Sequence, residues 1–522
     1  MSRLALSLLF ALLCLPASGQ TPAQIVLPEP FAVEMPAGAA SLPADSGKLH
    51  DLLAAASAGK FRVSSDLGHP VAVGPTLVTF TAWDGARAVG ARKATLFVLP
   101  SGFAPVGRSA DENATAGNNA VHIASDSAGR VHMIWTDSGR QGALVGAKYR
   151  RAHLDDAGAV VWETAETPLA GEVQADWNAY PALAVDGESV DFVWQNHGHL
   201  QHRRLAPSDG VLVWGAVHDT GLASEGRDTG PSLVSSGDTI AAIAPSGAVA
   251  ISRDAGQSWK IEKIAIPAGG KVKTASLARG ADGVLHAAMS VVMHNSTKPE
   301  GQGGGGGYWR LLAAQRSTSG DWSAPQDALA GLPAWASPPP NEDALADWVR
   351  IEVDASGAEH LAWHGTAVSR EYGHDQSWYA RRGSAGKVLA PAALAPTDLA
   401  HGVKYSFAPS LTLDGDRALA LTFFDVFDGA RWAGFDSQLV AFRDGKQQGA
   451  PLAITEFSRR SIASGDRSTE LSARFPSAAP NLRRGADGHV WLDVLHTLNP
   501  LNVDGEAALV VYQRVDLTAA GM

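Results

Sequence analysis

The chain has 522 residues, 45% of them hydrophobic, a formal charge of −11 and a single cysteine, Cys14. A net acidic chain lacks the basic surface that phosphate binding requires, so nucleic acid is not an expected partner. Without a second cysteine there is no disulfide framework and no thiolate metal site, and buried area alone must hold so long a chain together.

The chain opens Met1-Ser2-Arg3, continues with apolar residues from Leu4 to Leu15, and then reads Pro16-Ala17-Ser18-Gly19. A basic start, a short apolar run and a small-x-small ending make a cleavable export signal over residues 1–19, and Cys14 falls inside it. The run is too short to span a bilayer, and no later stretch is long and uncharged enough to do so. The expected localisation is secreted or periplasmic, with no membrane span. Residues 20–60 read as an N-terminal segment with one helical stretch, Leu49 to Ala58, and a strand such as Ile25 to Val33 suited to closing a sheet.

From residue 61 to 522 one phrase recurs: a short strand, a tight turn containing Asp or Gly, then a second apolar strand. It reads Ala182-Leu-Ala-Val-Asp186-Gly-Glu-Ser-Val-Asp-Phe-Val-Trp194 in one unit and Ile351-Glu-Val-Asp354-Ala-Ser-Gly357-Ala-Glu-His360-Leu-Ala-Trp363 in another. The turn glycines align as Gly74, Gly129, Gly187, Gly237, Gly283, Gly357, Gly415 and Gly488, eight units in all. Glycine and aspartate supply the positive φ angles of tight hairpins. Proline opens several first strands (Pro70, Pro181, Pro231, Pro409, Pro480), where no N–H is needed. Four-stranded units of roughly 45 to 75 residues with little helix predict an all-β fold, a β-propeller of seven or eight antiparallel blades closed by an N-terminal strand.

Ser252-Arg253-Asp254-Ala255-Gly256-Gln257-Ser258-Trp259 fits the pattern S-x-D-x-G-x-x-W. Degenerate versions are Asp156-Ala-Gly158 with Trp162, Ser208-Asp-Gly210 with Trp214, and Ser319-Gly-Asp-Trp322. The pattern resembles the Asp-box of sialidases and related BNR-repeat propellers, a carbohydrate-active superfamily, over residues 60 to 516. The resemblance implies that Asp254 and Trp259 are structural, the Trp plugging between neighbouring blades. His132, His286 and His360, each three residues after a turn glycine, read as repeated scaffold positions too.

On a propeller, the loops entering each first strand share a face with the loops leaving each second strand, and binding residues concentrate there. Asp84, Asp137, His197, His294, His364, Asp425 and His496 follow second strands. The segment His364-Gly-Thr-Ala-Val-Ser-Arg370-Glu-Tyr372-Gly-His374-Asp375-Gln-Ser-Trp378 gathers a base, a cation, a phenol and an aromatic platform. The candidate catalytic residues are His364, Arg370, Tyr372, His374, Asp347 and Tyr405, and the candidate substrate-binding residues are Arg227, Arg350, Arg474, His294 and Trp378. His197 and His199 point the same way along a strand, but no carboxylate stands at a diagnostic spacing, so no metal and no cofactor are expected.

The resemblance implies a sialidase-like glycosidase acting on acidic sugars, with Arg227, Arg350 and Arg474 converging on a carboxylate and Tyr405 or Tyr372 as nucleophile. No unit carries the R-I-P arginine that sialidases place before the first inner strand. A polysaccharide lyase acting on uronate glycans by β-elimination would instead use a Tyr or His base and an Arg or His neutraliser. A non-catalytic glycan- or protein-binding propeller is the third reading. The expected partner is an acidic oligo- or polysaccharide.

Overall fold

The computed structural model describes residues 23–522 apart from 40, 44–45, 69, 111, 118, 139–144, 156–157, 170–178, 225–229, 295–306, 331–345, 367–374, 385, 390, 397, 399, 401, 468–469, 486–487 and 502–506. The expected export signal lies outside the described residues. The chain divides into two compact units, Met1–Ser101 and Gly102–Met522.

The first unit is a four-stranded sheet in the order Ala32–Glu34, Arg87–Leu99, Gly74–Asp84, Arg62–Ser65. Alternation along Gly74–Asp84 turns Val78, Phe80 and Ala82 into a core shared with Phe31, Leu42 and Leu96. The expected helix is present as Gly47–Ala54 and buries Leu49 in the same core. Gly74, aligned above as a turn glycine, instead opens a strand here. That accounts for the eighth unit in the sequence: its Gly-Pro resembles a corner but starts the central strand of a separate sheet.

In the second unit the strands form seven antiparallel sheets among the described residues. The innermost strands are, in order, Ile123–Ser125, Ala182–Asp186, Ser232–Ser236, Gly270–Arg279, Ala346–Val353, Val403–Asp414 and Leu471–Ala478. Each lies against the next and the seventh returns to the first, which makes the sheets blades 1 to 7 of a ring. The other seven turn glycines sit between first and second strands with φ from 58° to 84°. Serines stitch the seams: Ser276 Oγ accepts from Ile351 N, Ser410 Oγ from Ala478 N, and Ser477 Oγ from His122 N.

Blade 7 is completed by Phe103–Ser109, which pairs antiparallel with Ala508–Asp516. The clasp is therefore N-terminal to the ring but is not the segment 25–33. Ala32–Glu34 is already committed to parallel pairing with Phe97–Leu99. Val106 on the clasp is fully buried beside Leu495, Val510 and Tyr512, so closure removes an exposed edge and adds core.

The Asp-box forms the turn between the third and fourth strands of blade 3, Ala248–Ser252 and Lys260–Lys263. Asp254 accepts from Ser258 N at 2.9 Å and from Ser252 Oγ at 2.8 Å, and Trp259 Nε1 donates to Gly256 O at 3.0 Å. Hydrogen bonds from Ser258 hold the Asp254 carboxyl down at about 2. Trp259 packs on His202 of blade 2, Trp214 on Tyr149 of blade 1, and Trp322 donates to Glu262 of blade 3. Each tryptophan thus seals the seam with the preceding blade. In the degenerate box before Trp162 the turn carboxylate is Asp155, which accepts from Ala159 N.

The recurring histidines are scaffold. Asp126 Oδ2 lies 3.2 Å from His132 Nε2, and Tyr149 Oη lies 2.8 Å from Nδ1; Asp354, His360 and Tyr379 repeat both distances in blade 5. A carboxylate can only accept, so Nε2 carries the proton and Nδ1 accepts from the tyrosine. His286 meets Glu359 across the seam between blades 4 and 5.

Candidate functional site

Three first strands of the ring carry a bulge at which a non-glycine residue adopts positive φ: Trp348 (49°), Ala408 (40°) and Phe475 (45°). Each stands two residues before a ladder position of its blade, Arg350, Ser410 and Ser477. Such backbone is uncommon for bulky residues and clusters at functional sites. Here the bulges lie on the face shared by the starts of first strands and the ends of second strands.

Aromatic side chains on that face form one continuous surface over blades 5 to 7. Trp348 stacks on His364 at 5.0 Å and meets Phe475 at 6.2 Å. His364 touches Phe407 at 5.3 Å, and Phe407 touches Tyr405, Phe423 and Phe435. Trp432 meets Phe435 at 5.3 Å. Trp348, Tyr405, Phe407, Trp432, Phe435 and Phe475 are all half-buried, so the surface is partly open. Two cations lie on it: the Arg474 guanidinium 5.3 Å from the Phe435 ring, and the Lys404 ammonium 5.0 Å from the Tyr405 ring.

Carboxylates fix this surface from beneath. Buried Asp425 accepts from Tyr405 N at 2.6 Å and Lys404 N at 3.1 Å, and burial pushes its carboxyl up to about 6. Asp347 accepts from Trp348 N at 2.7 Å and Thr274 Oγ1 at 2.9 Å, and burial likewise raises it. Asp347 stands opposite His364 in the ladder. His364 is 5% exposed, and burial lowers its pKa to about 3. It is therefore a neutral packing ring rather than a cation at neutral pH.

The expected residues separate into three groups. Asp347, His364, Tyr405 and Arg474 meet at this surface. Arg370, Tyr372, His374 and Arg227 lie outside the described residues, as does the side chain of His294 at the end of Leu285–His294. Two expectations need correction. Trp378 is 7% exposed and pairs with Trp363 in the core between blades 4 and 5, so no ring face is open to a ligand. Arg350 is 4% exposed on the axis, where Nη2 donates to Glu352 at 2.6 Å and Nη1 to Asn119 O at 3.1 Å. His496 is likewise buried, bonded to Gln513, and lowered by burial to about 4.

Asn119 belongs to a segment that crosses the axis. Asn119 Nδ2 donates to Gly230 O and to Ala275 O, and Thr115 bonds Thr497 Oγ1 and Phe475 O. Glu112, Thr115 and Asn119 thus reach blades 4, 5 and 7. Among the described residues no three His, Cys, Asp or Glu side chains gather as a metal site; His199 pairs with Asp219 at 3.1 Å.

Sequence reasoning missed Trp348, Phe407, Trp432, Phe435 and Phe475. A usable signal was an aromatic at or directly before an inner-strand bulge, as in Phe407-Ala408-Pro409 and Phe475-Pro476.

No known protein family and no curated protein matches this sequence. Among solved structures, an ulvan lyase of polysaccharide lyase family PL25 is similar over 80% of this chain and 98% of its own, with TM-score 0.51 and 10% identity. An ulvan lyase bound to -[GlcA(1-4)Rha3S]- gives TM-score 0.50 with the same coverage and identity. The chain is a β-propeller. The NanB sialidase of Streptococcus pneumoniae is a looser likeness, with TM-score 0.39 and 12% identity over 86% of this propeller chain and 84% of its own.

Proposed function

We propose that the face over blades 5 to 7 binds an acidic polysaccharide and cleaves it by β-elimination, in an exported protein. The observation that carries this reading is the open ring surface from Trp348 to Trp432 with Arg474 and Lys404 lying on it. Pyranose rings set their C–H bonds against aromatic faces, while guanidinium and ammonium groups hold the carboxylates along the chain. The fold likeness to ulvan lyase supports the same substrate class.

Neutralising a uronate carboxylate acidifies its C5 proton, because the released electron pair delocalises into the carboxyl group. Lys404 is the neutraliser for a sugar over Tyr405, and Arg474 holds a neighbouring acidic sugar. The Tyr405 hydroxyl oxygen takes the C5 proton as the hydroxyl's own proton passes to the departing O4; the electron pair forms the C4–C5 double bond, the C4–O4 bond breaks, and Tyr405 ends as it began.

The sialidase-like hydrolytic reading asks three arginines to converge on one carboxylate. Arg350 is unsuited to that, being buried and bonded to Glu352 and Asn119.

Incubation with ulvan and with polyuronates, followed by ultraviolet absorbance, is the test. The expected result is a growing signal from unsaturated uronate, reduced about 100-fold or more in Tyr405→Phe with binding retained. New reducing ends without absorbance would replace elimination by hydrolysis, and tight binding with neither would leave a binding module.

A further inference from the structure

The Arg474 guanidinium has a companion that neither the fold nor the proposed chemistry requires. Glu112 Oε2 lies 3.2 Å from Arg474 Nη1, and Asn113 Oδ1 lies 3.5 Å from the same nitrogen. The arginine side chain is 19% exposed and rests on the Trp432 and Phe435 rings, whereas the Glu112 side chain is 58% exposed. The cation is largely covered and its partner is exposed.

The backbone beneath Glu112 explains the difference. Asn499 Nδ2 donates to Glu112 O at 2.8 Å, and Thr115, three residues on, is bonded to Thr497 and to Phe475 O. The main chain is held at Glu112 itself and at Thr115, while the Glu112 side chain is more than half exposed. Rotation about its side-chain bonds would free Arg474 without moving the main chain held at Glu112 and Thr115. An exposed ion pair of this kind is weakly held, so a competing anion displaces it readily.

We propose that Arg474, backed by Trp432 and Phe435, is the anion subsite of this face, and that Glu112 is a resident carboxylate that swings out when the carboxylate or sulfate of an acidic sugar takes its place. The inference rests on the reading that this face takes acidic glycans, and it adds a selection rule. A neutral sugar is a poor replacement for Glu112 on Arg474, because it leaves the guanidinium without a counter-charge; an acidic one exchanges one anion for another. Glu112 therefore discriminates against uncharged chains while weakening every acidic ligand slightly.

The test is Glu112→Gln in the full-length protein, read by chemical modification of Arg474 with phenylglyoxal and quantified by peptide mass spectrometry. Arg474 is expected to react about two- to fivefold faster in the variant, the range set by the strength of an exposed ion pair. Millimolar glucuronate should slow the reaction again in the variant, and at lower concentration than in the wild type. A parallel arm with inorganic sulfate distinguishes carboxylate from sulfate preference. Equal Arg474 reactivity in the two proteins, or no protection by either anion, would overturn the inference. This readout needs no polysaccharide: if the wild type fails to bind ulvan or polyuronates while Arg474 is still unmasked and protected, the glycan reading falls and the subsite stands. If ulvan binds and Arg474 is indifferent to Glu112, the reverse holds.

Discussion

His364 stacks on Trp348, touches Phe407 and is almost fully buried, so its ring resists protonation until about pH 3. In the unfolded chain the same ring titrates near 6.5, so the unfolded state binds the proton first. Its contribution is present above pH 6.5 and is lost as the pH falls towards 3. His364→Phe keeps a ring in place and removes the titration. Between pH 7 and pH 5 the wild type should lose about 2 kcal/mol more stability than the variant, measured by urea unfolding at both values. Equal losses would show that His364 is charged in the fold. Asp425 and Asp436, both raised to about 6 by burial, slope the other way but are common to both proteins. The sequence made His364 visible as a polar residue after a second strand. It could not show that the positive-φ bulge at Trp348 lays an indole over it, because that bulge depends on how three blades meet.

Glycines mark the elements well, yet equal glycines do unequal work. Gly237 (φ 58°) and Gly256 (φ 87°) both sit where an L-residue is strained, at a cost of about 1–2 kcal/mol. A Cβ on Gly237 meets nothing, whereas one on Gly256 would fall within the His202 ring of the preceding blade. Gly256→Ala should therefore destabilise by at least about 1 kcal/mol more than Gly237→Ala in denaturant unfolding. A smaller penalty at Gly256 would mean the Asp-box turn is not wedged against blade 2. Turn glycines and box tryptophans were legible because their chemistry is local. Gly74 was misassigned because a Gly-Pro at the head of a strand and a corner glycine look alike within a few residues. The clasp at Phe103–Ser109 was unreadable for a related reason: its sequence says strand, but its partner lies some 400 positions later.

Ring closure brings the starts of blades 5, 6 and 7 side by side, and with them Trp348, Tyr405, Phe407 and Phe475. The class of fold was evident in the repeat; the candidate site came from aromatic contacts between blades, which no single repeat encodes. Residues 367–374 of the expected segment 364–378 lie outside the described residues, and none of the ring contacts described rests on them. The most direct measurement of the central claim is calorimetric titration of an acidic polysaccharide into wild type and Trp432→Ala, with melting midpoints recorded for both. Trp432 is half-buried and carries Arg474, so its loss removes a stacking face and loosens the cation. The account predicts at least about tenfold weaker binding with little change in melting midpoint. Undiminished affinity in a folded Trp432→Ala protein would contradict it.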